Sequence, residues 1–293
     1  MVDDDDVDDA GDEENDEDWS WNAGPAIPYG KGRVLALLVA DDREYWVSYV
    51  YDHAVITQEG KLLYEEESWL TDLWRSPTGR IYASAEGGAI HIFENGDWRV
   101  TQTSSRTMIT CVWGIDDDHV WATSKGIILR QEGRDWIEVA RGHGVYLDRI
   151  HGVSLDNLYA VGRRGLMLHW DGREWRRIEV PTNMHLLAVH ALAADRVCAV
   201  GAEGVVLLGA GEEWEVIRLE EDIDFLDVVA FRGTIYLGGS NRGLFRLEDG
   251  EVVVVRDDIR ASRLRADGAA LCVAGDLSVH RFDGENWQSY TYS

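Results

Sequence analysis

Two neighbouring stretches, "EGRDWIEV" at residues 132–139 and "DGREWRRIEV" at residues 171–180, are near copies of one another. Weaker copies are "NGDWRV" at 95–100, "GEEWEVI" at 211–217 and "DGENWQSY" at 283–290. Each copy has a turn glycine, followed by a tryptophan that opens an apolar run. A motif that recurs at a regular spacing is typical of repeat architectures, so the spacing between copies decides the fold.

The turn glycine recurs at intervals of 34 to 39 residues, at Gly60, Gly96, Gly133, Gly172, Gly211, Gly250 and Gly284. A large apolar residue follows two or three positions later in every copy: Leu63, Trp98, Trp136, Trp175, Trp214, Val253 and Trp287. When the seven copies are aligned, each set of equivalent positions forms a column. Another column contains only aliphatic residues: Leu37, Leu73, Val112, Ile150, Val189, Val228 and Leu264. Three columns that agree over seven copies indicate seven structural repeats.

Each repeat divides into four short apolar runs separated by turn residues. In the fourth repeat these runs are 147–153, 157–162, 166–170 and 174–180. Their length and their β-branched and aromatic content predict strands of an antiparallel meander, with a positive φ at the turn glycine. The second and third runs are almost continuously apolar, which indicates sheets packed between two neighbours. The predicted fold is therefore all-β, a seven-bladed β-propeller of four-stranded antiparallel blades.

The same pattern predicts three regions. Residues 1–18 form an acidic tail that we expect to be disordered, and residues 19–30 form a lead-in segment that is a possible closing strand. The propeller occupies residues 31–293. Its repeats are expected at about 31–68, 69–105, 106–143, 144–182, 183–221, 222–259 and 260–293.

Two longer stretches carry a family resemblance: "DDDHVWATSKGIILRQEGRDW" (116–136) and "SLDNLYAVGRRGLMLHWDGREW" (154–175). They resemble the repeats of bacterial tryptophan-rich propellers, which are related to sialidase-like, photosystem-assembly-factor-like and WD40-YVTN-like propellers. The resemblance extends over about residues 31–293. It implies the propeller fold, and functions in that family include assembly and carbohydrate processing.

Composition excludes several classes of function. The formal charge is −26, and residues 3–18 contain twelve acidic side chains and no base. Phosphates should repel such a chain, so we expect no nucleic acid partner. No apolar run is long enough to span a membrane and no secretory leader is evident, so we expect a cytoplasmic protein without a membrane partner. The three cysteines are far apart, and no spacing suits a metal, so we expect no disulfide, metal or cofactor.

One column provides a candidate ligand site. The position after the aliphatic residue of the first strand holds Trp74, Trp113, His151, His190 and Arg265 in five of the repeats. Such a ring suits recognition of a sugar, a carboxylate or a peptide, whereas packing between blades is the alternative explanation. No nucleophile or phosphate-loop motif is present, so we expect no catalytic residues and no enzyme.

Charge provides a candidate partner site. The tail residues Asp3, Asp4, Asp5 and Asp6 suit a basic protein, and Arg163 and Arg164 belong to a locally basic fourth repeat beside an acidic fifth repeat. The leading hypothesis is a monomeric, non-enzymatic scaffold that binds a basic protein, as a bacterial immunity or antitoxin-like protein or as an assembly factor. The alternative is a propeller that binds or processes a small ligand or glycan at its axis.

Overall fold

The structure is a computed structural model that describes residues 33–40, 43–50, 53–58, 61–219, 221–275 and 278–291. Within these ranges the regular structure consists of antiparallel β-strands and one short 3₁₀ helix, Glu86–Gly88. The acidic tail and the lead-in segment, with their predicted disorder and closing role, lie outside the described residues. None of the described residues belongs to a helix that is long and apolar enough to cross a membrane.

Five sheets contain four strands each, paired in chain order. In the first sheet, β1 to β4 span Arg33–Ala40, Arg43–Val50, His53–Gln58 and Lys61–Glu66. In the second sheet, β5 to β8 span Leu70–Arg75, Ile81–Ala85, Ala89–Glu94 and Asp97–Gln102. Each strand pairs with the next, as a meander requires.

The next sheet has six strands. These strands, β9 to β14, span Ile109–Gly114, Val120–Glu132, Asp135–Ser154, Asn157–Gly162, Leu166–Trp170 and Trp175–Ile178. Two of the four runs expected in the fourth repeat, 157–162 and 166–170, coincide with β12 and β13.

The remaining three sheets again have four strands. In one, β15 to β18 span Leu186–Ala193, Arg196–Gly201, Val205–Ala210 and Glu213–Arg218. In the next, β19 to β22 span Asp227–Phe231, Thr234–Gly238, Leu244–Glu248 and Glu251–Arg256. In the last, β23 to β26 span Arg263–Ala266, Leu271–Ala274, Ser278–Phe282 and Trp287–Thr291.

The six-stranded sheet arises because β10 and β11 are long. The ladder between them shifts register between Lys125 and Ile127, where the Cα atoms of Lys125 and Tyr146 are partners. Gly126 and Gly144 both have positive φ, and a Cβ on Gly126 would lie 2.9 Å from the Gly144 Cα. The two glycines allow this close approach, so both strands bend here and remain paired, whereas four short runs per repeat predict separate strands.

The first strand of each of the six sheets, together with β11 of the six-stranded sheet, forms a set of seven first strands of the predicted repeats that contact one another in cyclic order. In chain order β1, β5, β9, β11, β15, β19 and β23 each contact the next, and β23 contacts β1. The aliphatic column predicted from the sequence lies on these strands. Its members are buried in all six strands whose side chains are described: Leu73, Val112, Ile150, Val189, Val228 and Leu264.

The turn glycines have the predicted conformation. All of those described have positive φ: Gly96, Gly133, Gly172, Gly211, Gly250 and Gly284. The residue before the glycine is also left-handed at Asn95 and Asp249, which gives the paired positive φ values of a tight hairpin turn. The prediction of a left-handed turn is confirmed at these six positions.

The tryptophans that follow the turns pack against the preceding sheet. Trp136 is buried, and its Nε1 donates to Thr101 Oγ1 on β8 over 3.1 Å. Trp98 stacks on Tyr64 of β4 with ring centroids 4.3 Å apart. Trp287 lies under the Arg256 guanidinium of β22, which is 5.1 Å from the ring centroid. In these three places the tryptophan therefore packs against the outer strand of the preceding sheet.

Candidate functional site: the axial cavity

The first strands surround a cavity of about 240 Å³. Side chains alternate between the two sides of a strand, so the residues just before and just after the buried aliphatic residue share one side. In several of the strands β5, β9, β11, β15, β19 and β23, both flanking positions line this cavity. The cavity is thus built from two neighbouring tiers of residues.

The structure brings the five sequence-predicted ligand residues together in one tier. Trp74, Trp113, His151, His190 and Arg265 all line the cavity. Their proximity follows from the shared column position in successive first strands. Their role in ligand binding stays a prediction.

Three of these rings form a continuous aromatic wall. The centroids of Trp113 and His151 are 4.9 Å apart, and those of His151 and His190 are 4.2 Å apart. The interplanar angles are 39° and 34°, so neighbouring rings overlap in tilted contacts. At these separations the rings lie face against face, so the column offers the cavity its ring edges and the outer faces at its two ends.

Both histidines are neutral at pH 7. Burial and the neighbouring His190 hold the pKa of His151 well below its usual value, and burial lowers the pKa of His190 to about 4. The Nδ1 of His151 accepts a hydrogen bond from the Ala191 N–H over 3.1 Å, so in the neutral ring the proton lies on Nε2. The rings therefore offer hydrogen-bonding groups to the cavity rather than positive charge.

Opposite charges meet on the other side of the cavity. Arg265 donates from Nη2 to Asp72 Oδ1 over 2.7 Å and from Nη1 to Asp227 Oδ2 over 3.1 Å. Asp227 also accepts from the backbone N–H groups of Val228 and Leu264 over 3.0 Å and 2.9 Å. Both carboxylates are buried, and Arg265 joins three sheets by binding them.

The sequence pattern missed these two aspartates. They occupy the position before the aliphatic residue, where the column contains Ala36, Asp72, Cys111, Arg149, Ala188, Asp227 and Arg263. Two acids and two bases at one otherwise internal position are the signal that could have identified the second tier. Buried charges require partners, so charged residues in a core column indicate contacts between repeats.

Arg149 differs from Arg265 in having no bonded carboxylate. It is 8% exposed, and its Nη1 donates to the carbonyl oxygens of Thr110 and Asp148 over 3.1 Å and 3.3 Å. Its Nε has no hydrogen-bond partner, and no carboxylate oxygen among the described residues lies within ion-pair distance of its guanidinium. The charge still acts over a longer range: burial alone would raise the pKa of Asp72, but Arg149 and Arg265 hold it below its usual value.

Other titratable groups of the cluster respond to burial. Burial raises the pKa of Asp148 to about 6, although Arg149 opposes that shift. Burial and the charge of Arg149 lower the pKa of Arg263 to about 10. Burial raises the pKa of the Cys111 thiol to about 12, and Cys198 and Cys272 are also buried. Within the described ranges, no group of three or more His, Cys, Asp or Glu side chains could hold a metal ion.

The predicted partner residues lie elsewhere. Arg163 and Arg164 are exposed in the turn between β12 and β13. The Arg163 guanidinium lies 4.7 Å from the centroid of the Tyr146 ring, and Lys125 Nζ lies 5.2 Å from the same centroid. The sequence pattern missed Lys125, which comes from the preceding repeat. The other predicted partner residues, Asp3, Asp4, Asp5 and Asp6, lie outside the described residues.

The other arginines of the fourth repeat differ in their surroundings, and Arg173 is exposed in the turn before β14. On the outer strand β14, Arg176 pairs with Glu174 over 2.5 Å and Arg177 lies 3.5 Å from Glu179. Arg149 is buried at the cavity. The exposed Arg163 and Arg164 lie together in the turn between β12 and β13, apart from the exposed arginines near the outer strand.

Comparison with known proteins identifies the fold but no family. No protein-family model matches the chain, and no curated protein matches it by sequence. Among solved structures it is similar to a virginiamycin B lyase from Staphylococcus aureus, with a TM-score of 0.71 and 14% identity over 85% of this chain and 94% of that chain.

Two WD40 structures are equally similar. The RRP9 WD40 repeats give a TM-score of 0.71 at 14% identity, covering 84% of this chain and 88% of that chain. The WD40 β-propeller domain of Doa1 gives 0.71 at 10% identity, covering 87% and 93%. At such identities the similarity defines the fold alone. The chain is a β-propeller.

Proposed function

We propose that this chain is a seven-bladed β-propeller and acts as a non-enzymatic scaffold for protein–protein interaction. Five four-stranded sheets and one six-stranded sheet correspond to seven blades if β10 and β11 each belong to two blades. The lengths of these two strands, 13 and 20 residues, support that division. So does the register shift at Lys125, where the ladder is interrupted.

The observation that carries the scaffold proposal is the separation of charge at one end of the propeller. Exposed cations, Lys125, Arg163 and Arg164, lie at the bend of β10 and in the turn between β12 and β13. The corresponding turn after β16 and the connection from β18 to β19 carry exposed acids: Glu203, Glu221, Asp222 and Asp224. These turns are at the same end, because the strands of each meander alternate in direction.

Such a surface suits a protein partner of complementary charge. Adjacent patches of opposite sign steer association and set the orientation of a partner more than they set its affinity. The exposed Met108, which precedes β9 at the same end, adds apolar area to the basic sector. A second contact is proposed for the acidic tail, through Asp3 to Asp6, with a basic region of the same partner.

The biological setting in this proposal follows from these features. A cytoplasmic bacterial immunity or antitoxin-like protein, or an assembly factor, would use a monomeric propeller to cover a basic protein. A propeller suits the binding of a protein partner because its loop sequences can vary while its sheets keep the same structure. This setting agrees with the family resemblance of the repeats.

The test is recovery of a specific partner by the full-length chain from its native cells, followed by titration of the purified partner. We expect charge reversal at the basic sector, R163E with R164E, to weaken binding about tenfold or more. The matched control, R173E with R177E on the outer edge of the same repeat, should leave binding unchanged. Replacing Asp3 to Asp6 with Asn tests the tail separately.

Two results would contradict the scaffold. One is that no protein is retained in stoichiometric amount at low salt. The other is that the partner's affinity is the same for the R163E/R164E variant as for its control.

A further inference from the structure

We propose that the axial cavity binds a small planar carboxylate, with Arg149 as its anion-binding residue and the aromatic column of Trp113, His151 and His190 as the surface against which its ring packs. This site is independent of the scaffold proposal, which depends on exposed residues at the end of the propeller.

An anion is indicated by the imbalance between Arg149 and Arg265. Arg265 binds two of the three carboxylates of the cluster, Asp72 and Asp227. Arg149 lines the same cavity and is more deeply buried than Arg265, but donates only to two backbone carbonyl groups and leaves its Nε without a partner among the described residues. A buried guanidinium is costly unless it is paired, and its donor fork matches the two oxygens of a carboxylate.

A planar ligand is indicated by the facing wall. Trp113, His151 and His190 present overlapping rings with centroids 4.9 Å and 4.2 Å apart. A flat conjugated group packs against such a column edge to face, or on the outer ring face at its end, and both contacts add stabilisation beyond the burial of area. These three residues are half-buried, as expected for side chains that border a cavity.

The size of the cavity limits the ligand. Its volume of about 240 Å³ lies below the range of roughly 300–1,000 Å³ that is usual for drug-sized ligands. One or two fused rings with one carboxylate fit this volume, whereas a peptide or an oligosaccharide does not. The Nε2 of His151 remains a donor for a ring substituent, because its Nδ1 is occupied by the Ala191 N–H.

Calorimetric titration of the full-length chain at pH 7 tests the class of ligand. Benzoate and indole-3-carboxylate are the probes, benzamide is the uncharged control with a ring, and acetate is the charged control without one. We expect saturable binding of at least one aromatic acid, tighter by about tenfold than either control. D-glucuronate tests a carboxylate on a non-planar ring and should bind more weakly.

Variants test the assigned residues. Arg149→Met keeps most of the side-chain length and removes the charge, so we expect at least a tenfold loss of affinity for the aromatic acid. Arg149→Lys keeps the charge but lacks the forked donor group, so its affinity for the aromatic acid should lie between those of the unmodified chain and Arg149→Met. Arg176→Met, on the exposed face of β14, is the matched control and should bind as the unmodified chain does. Circular dichroism establishes that each variant is folded.

Trp113→Leu provides a second route if Arg149→Met does not fold, and we expect it to reduce affinity for indole-3-carboxylate more than for benzoate. The proposal is overturned if neither aromatic acid gives saturable binding. It is equally overturned if acetate, benzamide or D-glucuronate binds as tightly as the aromatic acids, or if folded Arg149→Lys and Trp113→Leu bind as the unmodified chain does.

Discussion

Ionisable residues at and beside the axial cavity have pKa values that their surroundings shift in opposite directions. Burial lowers the pKa of His190 to about 4, and it raises the pKa of Asp148 to about 6. Each residue is thereby kept uncharged over part of the acidic range, while Asp72 stays ionised because positive guanidinium groups surround it. The three residues make the stability of this region depend on pH with different signs.

His190 gives the first prediction. Its unfolded pKa is about 6.5, so between pH 6.5 and 4 the unfolded chain binds a proton that the native chain does not. Its contribution is fully present above pH 6.5 and is lost as the pH falls towards 4, by about 1.4 kcal/mol per pH unit for one proton. Urea unfolding of the unmodified chain and of His190→Gln between these pH values measures the difference. Equal slopes would contradict it.

Asp148 acts in the opposite direction and must be included in that comparison. Its native pKa of about 6 lies above the unfolded value, so its contribution is present at low pH and is lost as the pH rises through 6. Both chains in the comparison retain Asp148. The difference between their slopes therefore reports on His190 together with its effect on the pKa of His151.

At the scale of the element, the hairpin turns depend on backbone conformation. Gly133 has φ +62, and a Cβ added there would meet no atom within 4 Å, so Gly133→Ala strains the backbone alone. Gly88 has φ +83, and its Cβ would lie 1.8 Å from the Ser105 carbonyl oxygen. The first substitution should cost about 1–2 kcal/mol and the second about 2 kcal/mol more.

Chemical denaturation of the two variants measures these differences in unfolding free energy. Gly268→Ala is the control, because this glycine does not have positive φ and has open space around it. It should stay within about 0.5 kcal/mol of the unmodified chain. An equal effect of Gly133→Ala and Gly268→Ala would contradict the role assigned to the left-handed turn.

The tryptophans that join neighbouring sheets give another prediction. Trp136→Ala removes a buried ring and should cost about 3–5 kcal/mol. Trp136→Phe combined with Thr101→Val isolates the hydrogen bond between Trp136 Nε1 and Thr101 Oγ1, for which we expect a coupling of about 1 kcal/mol. Thermal and urea unfolding of the four chains in the cycle measure it, and zero coupling would show that packing alone joins the two strands.

The sequence was sufficient for elements whose boundaries are fixed by local chemistry. The runs at 157–162 and 166–170 are bounded by turn residues and coincide with β12 and β13. It was insufficient for β10 and β11, because four short runs per repeat predict a break in each of these strands, whereas the chain bends at Gly126 and Gly144. The close approach of Gly126 and Gly144 shows that the two strands bend there and remain paired. A contact between residues 18 positions apart is not part of any local sequence pattern.

At the scale of the whole molecule, one ion pair links distant parts of the chain. Asp72 and Arg265 are 193 positions apart in sequence and lie on β5 and β23, which are separated by the first sheet in the cyclic order. Breaking the pair by Asp72→Asn leaves Arg265 with less compensation and should cost about 3–5 kcal/mol. A double-mutant cycle with Arg265→Met should give a coupling above about 1 kcal/mol.

The control is the exposed pair of Arg246 and Glu248, for which the same cycle should give less than about 1 kcal/mol. The pair also has a pH signature. Because the pKa of Asp72 is lowered, its contribution is present above the unfolded value near pH 4 and is lost as the pH falls below it. A coupling no larger than that of the control would contradict its role between sheets.

The period of the repeats was enough to predict the propeller fold and to bring Trp74, Trp113, His151, His190 and Arg265 into one site. It did not predict which side chains bind one another there. Asp72, Asp227 and Arg149 share a column with alanine and cysteine. They become neighbours only when the first strands of different repeats contact one another around the cavity. Contacts between residues far apart in sequence are the part of a fold that local patterns encode least.

The burial of all three cysteines has a practical consequence. Thiolate is the reactive form, and burial raises the pKa of Cys111 and of Cys198 to about 12, which leaves both thiols protonated at neutral pH. A single cysteine introduced at the exposed Arg173 or Arg164 would therefore react selectively with a maleimide dye. Fluorescence from that dye could report partner binding near the outer strand or at the turn between β12 and β13, and the natural cysteines would not have to be removed first.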